Sequence, residues 1–280
     1  MIPAPFDYEV AESVDHAIDA LAADGDAKLL AGGHSLIPAM KLRLARPTKL
    51  IDLGRLNELA YVSDAGTHVA IGALTTHATV SSAVLLRDHC PIVAFAAGQI
   101  GDPQVRHRGT IGGTTAHCDP ASDMPAVLLA LGAELVVKGR AGERVVPATE
   151  FFTDVFTTAM TSGEMLTEVR VPKLGESTGW AYLKVNRRAQ DWATVGVAAL
   201  VHRDNGGIAG ASIGLVNMGA TPLRAKGAED ALASGASIAD AAAVVGQGTA
   251  PPSDHAGSSE YRAHLATVIA RRALEQALAD

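Results

Sequence analysis

The stretch KLLAGGHSLIPAMKLRL, residues 28–44, sets the reading of the chain. Lys28 to Ala31 has the short apolar texture of a buried strand, and two glycines follow at once. Ser35 is then expected to cap a helix running from Leu36 to about Leu44. Pro38 is tolerated in its first turn, where backbone N–H groups have no intrahelical partner. Working outward, Val10, Val14, Ala17, Ile18 and Leu21 recur at helical spacing over Val10 to Ala23, and Lys49 to Leu53 reads as a second strand. The order helix, strand, glycine turn, helix, strand predicts an α/β subdomain over about residues 1–55.

A second α/β subdomain is expected over residues 56–174. His68 to Gly72 reads as a strand, and helical patterns follow around Thr76 to Ser82 and Pro91 to Ile100. Asp102-Pro103 punctuates them before another glycine turn, Thr110-Ile111-Gly112-Gly113-Thr114. Ser122 or Asp123 is placed to cap a helix through Leu131, and Glu134 to Lys138 is a further strand. Beyond Gly175 the texture changes. Trp180 to Asn186, Thr194 to His202 and Ile208 to Asn217 are strand-like, and Asp204-Asn205-Gly206-Gly207 signals a hairpin. Leu223 to Ser234, Ile238 to Val245 and Glu260 to Ala279 are helical. The expectation is α+β: an N-terminal region of two α/β subdomains, residues 1–174, then a C-terminal domain, residues 175–280, with a three-stranded antiparallel sheet and a helical cluster.

With 280 residues, 48% of them hydrophobic and 19% charged, the chain is sized for two packed units. The net charge of −7 argues against a general nucleic-acid or anionic-membrane binder. The start MIPAPFDYEVAES lacks a basic segment leading into an apolar run, and Met124 to Val137 is too short to span a bilayer and carries Glu134. Cys90 and Cys118 form no repeated ligand spacing, which predicts a reducing, cytoplasmic setting and excludes an iron–sulfur cluster ligated by cysteines of this chain alone. His117-Cys118-Asp119 are adjacent residues that rarely converge on one metal ion, so no metal site is expected.

The chemistry falls on the glycines. In Ala31-Gly32-Gly33-His34-Ser35 the missing side chains let a ligand approach the backbone at a strand-to-helix junction, where unpaired N–H groups attract a phosphate. The spacing is neither the Rossmann fingerprint nor a P-loop. Either turn alone reads equally well as an ordinary connection, while two turns, each carrying hydroxyl side chains, suit a diphosphate.

Three motifs make the chain recognisable: AGGHSLIPAMKLRL (31–44), IGDPQVRHRGTIGGTTAHCDPASDMPAVLLALGAELVV (100–137) and KVNRRAQDWATVGVA (184–198). In this order they resemble the FAD-binding medium subunits of molybdenum hydroxylases. His34 and the HCDPASDMP segment look closest to those of aerobic carbon monoxide dehydrogenase. The resemblance implies FAD, with Ala31, Gly32, Gly33, His34 and Ser35 and with Thr110, Ile111, Gly112, Gly113 and Thr114 around the diphosphate and ribityl chain. It places Asp123 close to the flavin, where helix capping is an equal alternative. Trp192 falls at an aromatic position near the isoalloxazine, against the alternative of a core aromatic. Lys184 falls near the pyrimidine edge, against a solvated strand lysine. Arg106 and Arg108 would offset phosphate or face a partner, or simply be solvated, and His107 stands where the family often has asparagine.

The resemblance further implies two partners, a large subunit with the molybdenum cofactor and a small subunit with two iron–sulfur clusters, in a dimer of heterotrimers. Electrons would pass to an acceptor such as a quinone, with peripheral membrane association through the partners. Xanthine, nicotine or aromatic-substrate hydroxylases, and a nonenzymatic nucleotide-binding module, are the alternatives.

Overall fold

The computed structural model describes residues 1–204 and 207–279. Its first unit comprises β1 (Asp7–Val10), α1 (Val14–Ala23), β2 (Lys28–Leu30), α2 (Leu36–Lys41) and β3 (Lys49–Asp52). Both β1 and β2 pair in parallel with the central β3. The helix expected from Val10 starts four residues later, because the Ser13 hydroxyl caps it by accepting from the His16 N–H at 3.1 Å. Val10 instead closes β1, a strand the sequence pattern did not announce. Ala17 and Ile18 of α1 pack on Ile51 and Leu53 as a small separate core.

The middle unit is a five-stranded sheet in the order β4-β5-β10-β6-β7, built from β4 (Val62–Asp64), β5 (His68–Gly72), β6 (Glu134–Gly139), β7 (Gly142–Pro147) and β10 (Met165–Pro172). Every pairing in it is antiparallel, so the expected second α/β subdomain is an α+β unit. Between β5 and β6 come α3 (His77–Ser82), α4 (Val84–His89), α5 (Pro91–Gly98), α6 (Pro103–Arg106), α7 (Ile111–His117) and α8 (Asp123–Leu131). Short α9 (Ala148–Phe151), β8 (Phe152–Asp154) and β9 (Thr157–Thr158) lie between β7 and β10. All residues of α8 are buried, which explains its lack of polar positions after the first turn.

The last unit holds β11 (Thr178–Val185), β12 (Val195–Asp204), β13 (Gly207–Val216) and β14 (Leu223–Arg224), then α10 (Lys226–Ala233), α11 (Ile238–Ala243) and α12 (Ser259–Ala279). Its sheet runs β11-β12-β13-β14, antiparallel throughout. The expected three strands thus gain a two-residue fourth, taken from the start of the segment read as helical. Asp204 faces Gly207 across the predicted hairpin, whose tip at 205–206 lies outside the described residues. Both faces of this sheet are covered. Val197, Ala199 and Val201 of β12 meet the helical cluster, while the alternating Ala198 and Leu200 join the core around α8. No helix among the described residues is long and apolar enough to cross a membrane.

Candidate dinucleotide-binding site

The first glycine turn follows directly from β2, whose Leu30 carbonyl accepts from Leu53 N–H at 2.9 Å. Gly33 takes a left-handed backbone with φ of 77°, a conformation that disfavours any Cβ. The N–H groups of Gly32, Gly33, His34 and Ser35 donate to no protein group among the described residues. Four consecutive free donors make a concave, anion-seeking backbone. Ser35 does not cap α2. Its own φ and ψ, −106° and −50°, are already helical, so its side chain makes no capping bond.

The second turn is a different object. Thr110 is the N-cap of α7 and its hydroxyl accepts from Gly113 N–H at 3.0 Å, so the expected loop is in fact a helix start. Three more N–H groups are also used: Ile111 donates to the Thr75 carbonyl, Gly112 to Ala73 and Thr114 to Thr110. The Thr115 hydroxyl returns to the Ile111 carbonyl at 2.7 Å. Only the Thr114 side chain, half-buried, stays without a hydrogen bond among the described residues. Gly112 is required by packing, since a Cβ there would lie 2.6 Å from the Ala73 carbonyl oxygen.

The two turns touch. A Cβ on Gly32 would overlap the Arg108 carbonyl and approach Gly109 Cα to 2.9 Å, and one on Gly113 would sit 3.9 Å from Ala31 Cβ. Turns nearly eighty positions apart in sequence therefore form one surface, whose run of four successive free N–H groups comes from the first. Arg106 holds the approach to the second turn by donating to the Ile100 carbonyl at 2.9 Å, whereas Arg108 is exposed.

Downstream of α7 the chain leads to Ser122 and Asp123 at the start of α8. Asp123 does not cap the helix. It sits one position inside, and its carboxylate accepts from Lys184 Nζ at 2.9 Å and from the Tyr182 hydroxyl. Lys184 also donates to the Gln99 carbonyl at 2.7 Å. The Lys184 and Asp123 side chains are only 7% and 8% exposed, so Lys184 is a buried, paired cation rather than a solvated strand lysine. Desolvation pushes the Asp123 carboxyl above the usual carboxylate range, although the Lys184 charge opposes this. Burial and the neighbouring carboxylate raise the Tyr182 phenol well above its ordinary value. Ser122 Oγ is buried with no protein partner, a polar atom that a bound hydroxyl or phosphate would satisfy.

Trp192 is 57% exposed and is no core aromatic. It borders a cleft of about 530 Å³ with Asp119, Arg187, Arg188, His255 and Arg262. The backbone behind it is pinned twice. Asn217, left-handed at φ of 61°, donates to the Ala193 carbonyl at 2.9 Å, and the fully buried Arg262 donates to the Thr194 carbonyl and to Asp254 at 2.6 Å. His117 and Cys118 diverge: the His117 ring packs 5.0 Å from that of Phe156, and Cys118 Sγ points to the Asp154 carbonyl.

Sequence reasoning missed Tyr182, Asn217 and Arg262. Two of them left a signal. Tyr182 is two residues from Lys184 and so shares its strand face. Arg262 falls on the same helical stripe as Ala266, Ile269, Ala270 and Ala273, where a charged residue is out of place unless paired.

A backbone cradle joined to a buried acid–base cluster across two lobes defines a dinucleotide-binding subunit of mixed α and β structure. The family described as the FAD binding domain in molybdopterin dehydrogenase matches residues 4–174, and the CO dehydrogenase flavoprotein C-terminal domain matches residues 180–277. The chain belongs to this family of FAD-binding flavoprotein subunits. It is 40% identical to the carbon monoxide dehydrogenase medium chain of Hydrogenophaga pseudoflava, over 100% of this chain and 99% of that one. It is also 40% identical to the alpha subunit of the 6-hydroxypseudooxynicotine dehydrogenase complex of Paenarthrobacter nicotinovorans, over 99% and 96%. The solved carbon monoxide dehydrogenase from Hydrogenophaga pseudoflava lacking the Mo-pyranopterin moiety superposes with a TM-score of 0.96 at 41% identity, over 100% and 99% of the two chains.

Proposed function

We propose that this chain is the electron-transfer subunit of a molybdenum hydroxylase that oxidises carbon monoxide. It takes electrons from iron–sulfur clusters on a small partner and passes them to an acceptor such as a quinone. Substrate oxidation belongs to a large partner that carries the molybdenum cofactor. The observation that carries this reading is the union of the two glycine turns, which presents four free N–H groups to a diphosphate. FAD, when bound, supplies the ability to exchange electrons one or two at a time.

The chain's own residues then have separate tasks. Ala31 to Ser35 grip phosphate, while Thr110 to Thr114 brace that grip and offer the Thr114 hydroxyl. Asp123 lies close to the flavin, held by Tyr182 and Lys184. Lys184 supplies positive charge near the ring and is itself held by Asp123 and the Gln99 carbonyl. Trp192 covers the ring beside the open cleft. The two N-terminal subdomains, about residues 1–55 and 56–174, clamp FAD and residues 175–280 close over it, and the working assembly is a dimer of heterotrimers that meets the membrane only through its partners.

Native purification with flavin and metal analysis tests the reading, followed by addition of carbon monoxide while the flavin absorbance is watched. Bleaching is the expected result. A cofactor-complete complex that carbon monoxide leaves oxidised would overturn the substrate and favour a heterocycle hydroxylase. The equal identity to the 6-hydroxypseudooxynicotine enzyme keeps that second reading in view.

A further inference from the structure

Trp192 lies on the connection between β11 and β12, residues 186–194, and is exposed, while the two residues after it are buried, Ala193 at 2% and Thr194 at 5% exposure. The indole makes no ring contact among the described residues. An open aromatic is commonplace by itself. The backbone beneath it is not, because three separate elements are fastened to two consecutive residues. From β11, the Val185 carbonyl accepts from Thr194 N–H at 2.7 Å. From just past β13, the Asn217 amide donates to the Ala193 carbonyl at 2.9 Å and to the Thr194 carbonyl at 3.3 Å. From α12, Arg262 donates to the Thr194 carbonyl as well.

Two of these fastenings are not what stability alone would select. Arg262 is fully buried on the stripe of Ala266, Ile269, Ala270 and Ala273. Its Nε has no partner, and the Asp254 side chain that pairs with it is 42% exposed. A guanidinium so placed regains little of its lost hydration, and an apolar side chain of similar volume would suit the stripe at least as well. Asn217 holds a left-handed backbone, which asparagine adopts only at some cost, and this turns its amide onto the same carbonyls. A costly buried charge and a strained residue therefore converge on Ala193 and Thr194, the two residues that follow the exposed indole.

We propose that Arg262 and Asn217 are positioning residues for the cofactor: they latch the Ala193 and Thr194 carbonyls and so fix where the Trp192 indole lies on the isoalloxazine. This rests on the proposed flavin function, in which Trp192 covers the ring. Trp192 also borders the cleft of about 530 Å³, so a displaced indole changes both the surroundings of the ring and the space left beside it. Through Arg262 the helical cluster, which otherwise only backs the sheet, gains a direct hold on the cofactor's cover.

The test uses the whole complex at equal FAD loading and reads the fluorescence of the bound flavin, which a stacked indole quenches. Trp192→Ala should brighten it roughly threefold or more, through loss of the stacked aromatic. Arg262→Leu suits the apolar stripe, and Asn217→Gly keeps the left-handed backbone while removing the amide. Each should show most of the same rise with FAD content unchanged. Combining either one with Trp192→Ala should add no further brightness, because the latch acts only through the indole. Wild-type emission in both latch variants beside a bright Trp192→Ala would overturn the proposal, even if their melting temperatures fell, since that is the mark of a purely structural role. Double variants brighter than Trp192→Ala would also overturn it, because the latch residues would then reach the flavin by another route. If Arg262→Leu does not fold, Asn217→Gly decides alone. Emission unchanged in Trp192→Ala would refute the placement of the indole on the ring, and the latch with it, whereas a wild-type complex without FAD would fail the functional reading before any variant is compared.

Discussion

The two glycine turns look interchangeable as sequence, each a pair of glycines set among hydroxyl residues, yet they have opposite roles. The first leaves four successive N–H groups free, while the second uses those of Ile111, Gly112, Gly113 and Thr114 inside the protein. Glycine serves two purposes here. At Gly33 it permits a left-handed backbone that opens donors outward. At Gly112 it permits strand β5 to lie against a helix start. Matching composition therefore identifies a place where chains run close, and only the hydrogen-bond partners tell which place is left for a ligand.

Substitutions can break this contrast, and the largest effect is expected at the seam. Gly32→Val drives a side chain into the Arg108 carbonyl and should part the two turns. Overpacking against backbone costs about 3 kcal/mol, and FAD occupancy should drop to under roughly a tenth. Absorbance at the flavin band, with circular dichroism to check folding, reads both; full occupancy in a folded variant would remove the union of the turns. Gly112→Ala comes next, with a loss of about 1–3 kcal/mol in thermal unfolding of the apoprotein and a lower melting temperature. FAD affinity in the surviving folded fraction should be nearly normal, and a selective loss of affinity would mean that the second turn touches the ligand directly.

Thr110→Ala removes a helix cap and is expected to cost about 1 kcal/mol of stability. Ser35→Ala should leave stability within about 0.5 kcal/mol, because the Ser35 side chain caps nothing. It should weaken FAD binding by about 1 kcal/mol, a factor near five, if that hydroxyl reaches phosphate. Calorimetry on the pair of variants checks the inversion: stability without affinity for Thr110, affinity without stability for Ser35.

Much of the architecture was legible because burial writes periodicity. The near-continuous apolar run of β12, whose two faces are both covered, and the helical stripe of α12 follow from which side chains meet a core. The start of α7 was hidden for the opposite reason. Ile-Gly-Gly-Thr-Thr is made of poor helix formers, and only the Thr110 cap and the contact with Ala73 hold it helical. Strand β1 was hidden because Asp7, Tyr8 and Glu9 face solvent or nearly so and leave no apolar pattern. In the site, residue types were readable but pairings were not. Asp123 and Lys184 are 61 positions apart and meet only because Lys184 of β11 reaches the first residue of α8. In the proposed complex the substrate is unreadable for a plain physical reason, since the chemistry that would recognise it would lie on another chain.

Helix α8 has no solvent face, and the residues around it come from both β10 and the β12–β13 pair. It acts as a dowel driven through two boards. Asp123 is at one end of the dowel and Lys184 is on the second board, so their alignment is set by interior fit rather than by a linker. Any jaw-like opening between the lobes would have to pull that peg from one of its holes, which makes the cofactor seat a fixed jig with little play and leaves loops, not lobes, as the parts free to move.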